Sequence, residues 1–345
     1  RLECAVSRLK LTDLRCDGCY NLIEPPYAVC TGGFLEIDQY YEDLAEGKET
    51  MILSSIVLIG RKEAGKSTLL KSMREKFTTR TTDNCNVDKT EVFDFQEVTL
   101  CDENSKRKVN VVDFGGDEVY HYAYQLTFRK DSIPIVVVNI KEYEELASLY
   151  GRREATRKVA FDWLSHMVTT SEAMENPLLV FTHADLSDKD EFQRLSDDFV
   201  CSIRELCQDF LLDMSTSASL PSAVIDVESL FGDSDRFVVG FNLADGYYDA
   251  ELYRLEKHLL HAVSNSECTV PAAWMKLIND IIDNTSAPFL RYTELLVSNK
   301  EPLLSVVLNF MQRAGKILRY DATDYITAVI DMISNRTSKD IVFHN

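Results

Sequence analysis

The chain has 345 residues, 45% of them hydrophobic and 27% charged, the balance of an ordinary globular protein and enough length for more than one core of about 100–200 residues. Its 37 lysines and arginines face 56 acids, and a net charge of −19 argues against a broad nucleic-acid-binding face, which needs clustered positive charge. No apolar run reaches the roughly 18 residues of a membrane-spanning helix.

The sequence starts at Arg1 with no signal-peptide pattern, which reads as a piece of a longer, cytoplasmic chain. Nine cysteines, an odd number, fit reduced thiols. Cys16 and Cys19 could form half of a zinc site, but the second close pair that structural zinc needs is missing. Leu11, Leu14, Cys16 and Cys19 instead fall on the spacing L-x-x-L-x-L-x-x-[NC] of one leucine-rich repeat. One repeat cannot bury its own face, so residues 1–47 read as the end of a repeat array. Leu35, Ile37, Tyr40, Tyr41 and Leu44 would form the apolar face of a capping helix, and "EGKET" a polar linker.

From Met51 the pattern changes. "MILSSIVLIG" is a continuous apolar run ending in glycine, as for a buried parallel strand, and "KSTLLKSMREKF" follows as a helix. "VFDFQEVTL" and "KVNVVDF" read as strands flanking a solvated hairpin tip that holds Lys106, Arg107 and Lys108. "IPIVVVNI", "NPLLVFTHADL" and "RFVVGFNL" are further strands, alternating with helices over "EYEELASLYGRREATRKVAFDWLSHMV" and "DEFQRLSDDFVCSIRELCQDFL". A last helix carries Leu252, Leu255, Leu259 and Leu260 on one face. Such alternation over residues 50–264 predicts an α/β domain with a parallel sheet covered on both sides. After Ser264 the pattern turns mainly helical, with a break at Gly315 before "KILRY", and residues 268–345 read as the start of another domain.

Three elements carry candidate chemistry. Gly60-Arg61-Lys62-Glu63-Ala64-Gly65-Lys66-Ser67, continuing to Thr68, has the spacing of a phosphate-binding loop between a strand and a helix. There backbone N–H groups would line a concavity, Lys66 would meet the terminal phosphates and Ser67 a magnesium ion. "VNVVDFGG" delivers Asp113, an acid suited to magnesium, and Gly116, whose N–H could approach a γ-phosphate. Thr182-His183-Ala184-Asp185 ends a third strand, and the Asp185 carboxylate can accept from guanine N1–H and the exocyclic amine, donors that adenine does not pair in that way. The competing reading of Asp185 is an N-cap of the following helix; that of His183 is packing or solvation.

These elements, in order on three strands, resemble the guanine-nucleotide-binding proteins. More narrowly, "VVDFGGDEVYHYAYQLTF" and "THAD" resemble the Roc domain of the Roco family, where the motifs read D-F-x-G-x-E-x-Y-H and T-H-x-D. The resemblance implies a P-loop GTPase-like sheet at residues 50–264, a leucine-rich repeat end before it and the beginning of a COR domain at 268–345. It further implies GTP or GDP with Mg2+, protein partners through the repeats and COR, and a homodimer through the helical segment. A switch threonine would complete the metal site, and Thr82 or its neighbour Thr81 stands in the corresponding segment. A fifth motif would fall near Gly240-Phe241.

Two departures bear on turnover. Lys62 and Glu63 stand where efficient GTPases often have small residues, and Asp117 replaces the glutamine that orients the attacking water. A carboxylate there is shorter and is repelled by the γ-phosphate. The sequence therefore predicts nucleotide binding with slow or partner-assisted hydrolysis. The alternative is an interaction scaffold with a structural or degenerate nucleotide site, and an ATPase is disfavoured by Asp185.

Overall fold

The computed structural model describes residues 22, 24–75, 93–101, 106–115, 132–165, 177–215, 227–240, 246–283, 290–291, 295–296, 301–314, 317–319 and 325–328. The repeat-like spacing at Leu11–Cys19 and the switch segment with Thr81 and Thr82 lie outside them, as do Gly116, Asp117 and Phe241. Two compact units make up the chain: Arg1–Leu53 with Asn265–Asn345, and Ser54–Ser264.

The first unit begins with α1 (Tyr27–Cys30), α2 (Phe34–Glu46) and β1 (Lys48–Ile52). Helix α2 buries Ile37 and Tyr40 as expected, but Leu35 is 86% exposed and Glu36 takes the inward position. The helical period explains the exchange: with Ile37, Tyr40, Tyr41 and Leu44 facing in, the stripe runs through residue 36, not 35.

The "EGKET" stretch is no linker. Lys48–Ile52 is a strand, and the apolar run from Met51 is split by Leu53 and Ser54 into two strands belonging to different sheets.

The second unit holds β2 (Ser55–Ile59), α3 (Lys66–Glu75), β3 (Phe93–Cys101), β4 (Lys106–Phe114) and β5 (Ser132–Asn139). It continues with α4 (Ile140–Tyr150), α5 (Arg152–Thr156), β6 (Leu178–Thr182), α6 (Lys189–Ser215), β7 (Arg236–Val238) and α7 (Gly246–Asn265). The strands form one six-stranded sheet in the order β3-β4-β2-β5-β6-β7, parallel except for the antiparallel edge strand β3. Strands β5 and β6 are buried almost throughout, as their unbroken apolar runs require when helices cover both faces. Phe199 of α6 packs edge-on against Phe181 of β6 and Tyr143 of α4, with ring centroids 5.5 and 5.3 Å apart. Strand β2 has β4 on one side and β5 on the other, so the chain changes direction of growth beside it. Open α/β sheets bind ligands at the carboxyl ends of strands at such a point.

Two local expectations need correction. Lys106–Lys108 open β4 and pair with Thr99, Leu100 and Cys101, rather than forming the hairpin tip, and Lys108 reaches Glu97 at 2.7 Å. The helix expected across residues 142–168 is interrupted at Gly151, whose φ of 82° is left-handed, and continues through a wide turn at Arg157–Phe161.

The chain then returns to the first unit with β8 (Glu267–Pro271), α8 (Ala272–Asp283), β9 (Leu290–Arg291), α9 (Glu301–Arg313), β10 (Ile317–Arg319) and β11 (Tyr325–Ala328). This part is less helical than expected. Strand β8 pairs antiparallel with β1 from Lys48↔Pro271 to Ile52↔Glu267, and β10-β11-β9 form a second small sheet. Tyr40 of α2, Trp274 of α8 and Phe310 of α9 share one core, the ring centroids of successive partners lying 5.7 and 5.6 Å apart. The Tyr40 hydroxyl donates to the Thr269 carbonyl at 2.8 Å, and the Trp274 ring N–H to Asp43 at 2.7 Å. Residues from before and after the Ser54–Ser264 unit thus build a single hydrophobic core.

Candidate functional site

The loop after β2 has a shape that only particular residues allow. Gly60 has φ 143°, and a Cβ at this position would overlap the carbonyl oxygen of Val137 on β5. Gly65 has φ 91°, with the Thr182 methyl 3.2 Å from where its Cβ would be. Between them Glu63 is also left-handed, at φ 65°, a conformation that costs a non-glycine residue about 1–2 kcal/mol. The Glu63 side chain is 84% exposed, and Lys62, 48% exposed, lies 3.8 Å from it. The two long side chains stand on the rim of the loop.

Lys66 opens α3 and is only 6% exposed. Its ammonium donates to the carbonyls of Gly60 and Arg61, each at 2.8 Å, so it reaches back across the concavity of the loop. Ser67 follows, its hydroxyl hydrogen-bonded to the carboxylate of Asp113 at the end of β4, which is 1% exposed. Thr68 continues the first turn of α3 and accepts, through its carbonyl, the Ser72 hydroxyl at 2.9 Å. A hydroxyl and a carboxylate in contact beside a buried lysine are the donor set that magnesium takes next to phosphates. The residues present fit that ion.

At the end of β6 the Thr182 hydroxyl donates to the Ala64 carbonyl at 2.7 Å. The third sequence element is thereby seated directly on the phosphate-loop candidate. His183 takes a left-handed conformation, with Nδ1 3.0 Å from the Thr182 hydroxyl, and burial holds its pKa below the ordinary value while Asp185 partly offsets this. Ala184–Leu186 form a single 3₁₀ turn that carries Asp185, half-buried. The cap of the next helix is Asp188, whose side chain accepts the Glu191 N–H at 2.8 Å. Capping therefore does not occupy Asp185, and its carboxylate has no hydrogen-bond partner among the described residues.

The fifth-motif candidate is only half described. Gly240 is buried just beyond β7, and Val239 donates to the Phe181 carbonyl at 2.8 Å.

One feature of the site escapes a motif-based reading. Arg61 forms an ion pair with Glu142 of α4 at 2.7 Å. Asn139 caps α4 by accepting the N–H groups of Lys141 and Glu142, at 3.1 and 3.3 Å. An asparagine closing an apolar strand just before an acid-rich helix was the available signal.

A family model described as "Ras of Complex, Roc, domain of DAPkinase" matches residues 55–185, which run from the first residue of β2 to Asp185. Residues 55–185 are similar to a Roc domain. The three elements just described all lie within the matched residues. The chain is also 29% identical over 191 residues to a probable serine/threonine-protein kinase, pats1, of Dictyostelium discoideum, and 26% identical over 177 residues to the malignant fibrous histiocytoma-amplified sequence 1 homolog of Xenopus tropicalis. Those alignments cover 51% and 50% of this chain but only 6% and 16% of the two relatives. Among solved structures it is similar to Methanosarcina barkeri Roco2 RocCORdC bound to GDP, with a TM-score of 0.49 and 18% identity over 81% of this chain and 74% of that one. No helix among the described residues is long and apolar enough to cross a membrane.

Proposed function

We propose that the Roc domain binds GTP and GDP with Mg2+ and acts as the regulatory module of a larger signalling protein. The observation that carries this reading is the Thr182–Ala64 hydrogen bond, which fixes the carboxylate-bearing turn at Asp185 against the loop that ends in Lys66. In the bound state the backbone from Gly60 to Gly65 and the ammonium of Lys66 hold the β- and γ-phosphates, Thr68 lines the α-phosphate side, and Asp185 accepts from guanine. Thr182 and His183 shape the base edge. Ser67, Asp113 and Thr82 would hold Mg2+, whose charge would offset that developing between the phosphates, and the Gly116 N–H would be the donor to the γ-phosphate.

Turnover is slow or needs a partner, because Asp117 stands in place of the water-orienting glutamine. Residues 1–47 end a leucine-rich repeat array and residues 268–345 begin a COR domain; protein partners bind through both, and COR carries a homodimer contact in the cytoplasm. The family match supports the guanine assignment; the repeat and COR readings rest on sequence resemblance.

A titration of the 345-residue chain with fluorescent GTP, with and without Mg2+, tests the proposal. Micromolar or tighter binding that Lys66→Ala abolishes and ATP does not compete is expected. Equal competition by ATP would overturn the role of Asp185, and no binding at all would favour an interaction scaffold. Single-turnover hydrolysis in the isolated chain at rates typical of assisted GTPases would overturn slow turnover.

A further inference from the structure

The Arg61–Glu142 pair stands apart from the sequence motifs, yet it sits one bond from the lysine of the phosphate loop. Arg61 contributes two groups. Its guanidinium meets the Glu142 carboxylate at 2.7 Å, and its carbonyl accepts from the Lys66 ammonium at 2.8 Å. Glu142 is held from behind, since its own N–H donates to the side chain of Asn139 at the end of β5. The result is a continuous path from the sheet, through the capped first turn of α4, to the main chain of Arg61 and the ammonium of Lys66. Each link is a hydrogen bond or ion pair in a partly or fully desolvated place, where such contacts are stronger than at a free surface.

We infer that Glu142 is a positioning residue for the phosphate loop, acting through Arg61 to hold Lys66 where the terminal phosphates of the nucleotide bind. The inference deepens the guanine-nucleotide reading and rests on it.

The charges around Glu142 agree. Burial raises its pKa, Arg61 is the largest influence lowering it and Lys66 lowers it further, while Glu63 and Glu145 push the other way. Glu142 thus lies within electrostatic reach of Lys66, the group it is assigned to orient. Its side chain is 26% exposed and that of Arg61 38%, so the pair is only partly screened by solvent. The neighbouring Lys141 reaches Glu144 and Glu191 at 2.9 and 3.4 Å, which ties this turn of α4 to the first turn of α6 and limits its drift.

A role in placing Lys66 affects the outer phosphates and leaves the base contact alone. The test is therefore the dissociation constants of GDP and GMP for the 345-residue chain, measured by displacement of fluorescent GDP for wild type, Glu142→Ala, Arg61→Ala and the double variant. The expected result is a loss of about tenfold in GDP affinity for each single variant, with GMP affinity changed less than about twofold. The double variant should lose no more than either single one, because both remove the same link. Glu142→Gln, which keeps an acceptor oxygen, should recover part of the loss. Parallel loss of GDP and GMP affinity, or additive losses in the double variant, would overturn the positioning role while leaving nucleotide binding intact. A wild-type chain that binds neither nucleotide overturns the reading beneath it and this inference with it.

Discussion

The Thr182 hydroxyl and the Ala64 carbonyl, 118 positions apart in sequence, are joined by a 2.7 Å hydrogen bond. Ala64 is 1% exposed and Thr182 fully buried, so no water can replace a lost donor. Thr182→Val keeps the shape but leaves that carbonyl unpaired, at a cost of about 1–3 kcal/mol. The Ser54–Ser264 unit should then melt a few degrees lower. GDP affinity should fall as well, because the bond joins the base-side turn to the phosphate loop. A calorimetric scan and a GDP titration check both effects, and an unchanged melting point would sink the claim.

Gly60 is a harder constraint. A methyl group there meets a main-chain oxygen of β5, which cannot rotate away, and the φ of 143° is itself hostile to any side chain. Gly60→Ala should therefore destabilise the unit by about 2–4 kcal/mol, more than Gly65→Ala, whose nearest neighbour is the end of a threonine side chain at 3.2 Å. Urea denaturation of the two variants gives the comparison directly. The reverse order would show that β2 and β5 can separate more easily than their ladder implies.

In the other unit, Glu36 and Arg313 form a double contact at 2.6 and 2.7 Å, and Arg313 also donates to the Ala28 carbonyl at 2.6 Å. Asn309 adds a bond to Glu36 at 3.2 Å. Only 11% of the Glu36 side chain is exposed, and Gly32 packs so closely that any Cβ would run into it. Glu36→Gln should cost about 1–2 kcal/mol by leaving Arg313 partly unpaired, discounted for its 28% exposure. The loss should appear in the unfolding of the Arg1–Leu53 and Asn265–Asn345 unit, followed through Trp274 fluorescence. No shift in that transition would mean the pair is a surface contact in effect.

What the sequence reveals of this fold follows from the range of each signal. The strands β5 and β6 are legible because both faces are buried, so every residue from Ile133 to Val138 had to be apolar. The loop at Gly60–Ser67 is legible because its backbone geometry restricts it to glycine at two places. Strand β1 is not, because Lys48, Glu49 and Thr50 are exposed and its partner β8 lies more than 200 residues away; a one-sided edge pairing leaves little local pattern. Leu35 misleads for a similar reason, since an ion pair at Glu36 holds a place that periodicity alone would give to an apolar residue. Arg61 is read as part of a motif, but its partner on α4 depends on tertiary contact and on no spacing.

His183 offers a pH readout of the base-side turn. Burial lowers its pKa in the folded state, and the Asp185 carboxylate raises it in part. A histidine depressed below its unfolded value, about 6.5, favours the folded state fully above that pH and loses the contribution as pH falls through it toward the folded value. The Ser54–Ser264 unit should accordingly lose stability as the pH drops below about 6.5, and His183→Gln should flatten that slope. Removing the neighbouring carboxylate should lower the His183 pKa further, an effect visible in the ring proton shifts by NMR. A rise in that pKa would show that Asp185 does not act on the ring.

Asp185 itself gives the sharpest selectivity test. Because Asp188 supplies the cap of α6, replacing Asp185 leaves the helix start intact, and Asp185→Ala should fold with a melting point close to wild type. Its carboxylate is proposed to accept two charge-assisted hydrogen bonds from guanine, so the truncation should weaken GTP by about 100-fold and barely affect ATP. The preference for guanine would then shrink because one side is lost, not because adenine gains. Competition of GTP and ATP against fluorescent GDP on the variant measures this. If GTP keeps its advantage there, the guanine contact lies elsewhere, and the buried backbone at Val239 and Gly240 beside the end of β6 becomes the place to look.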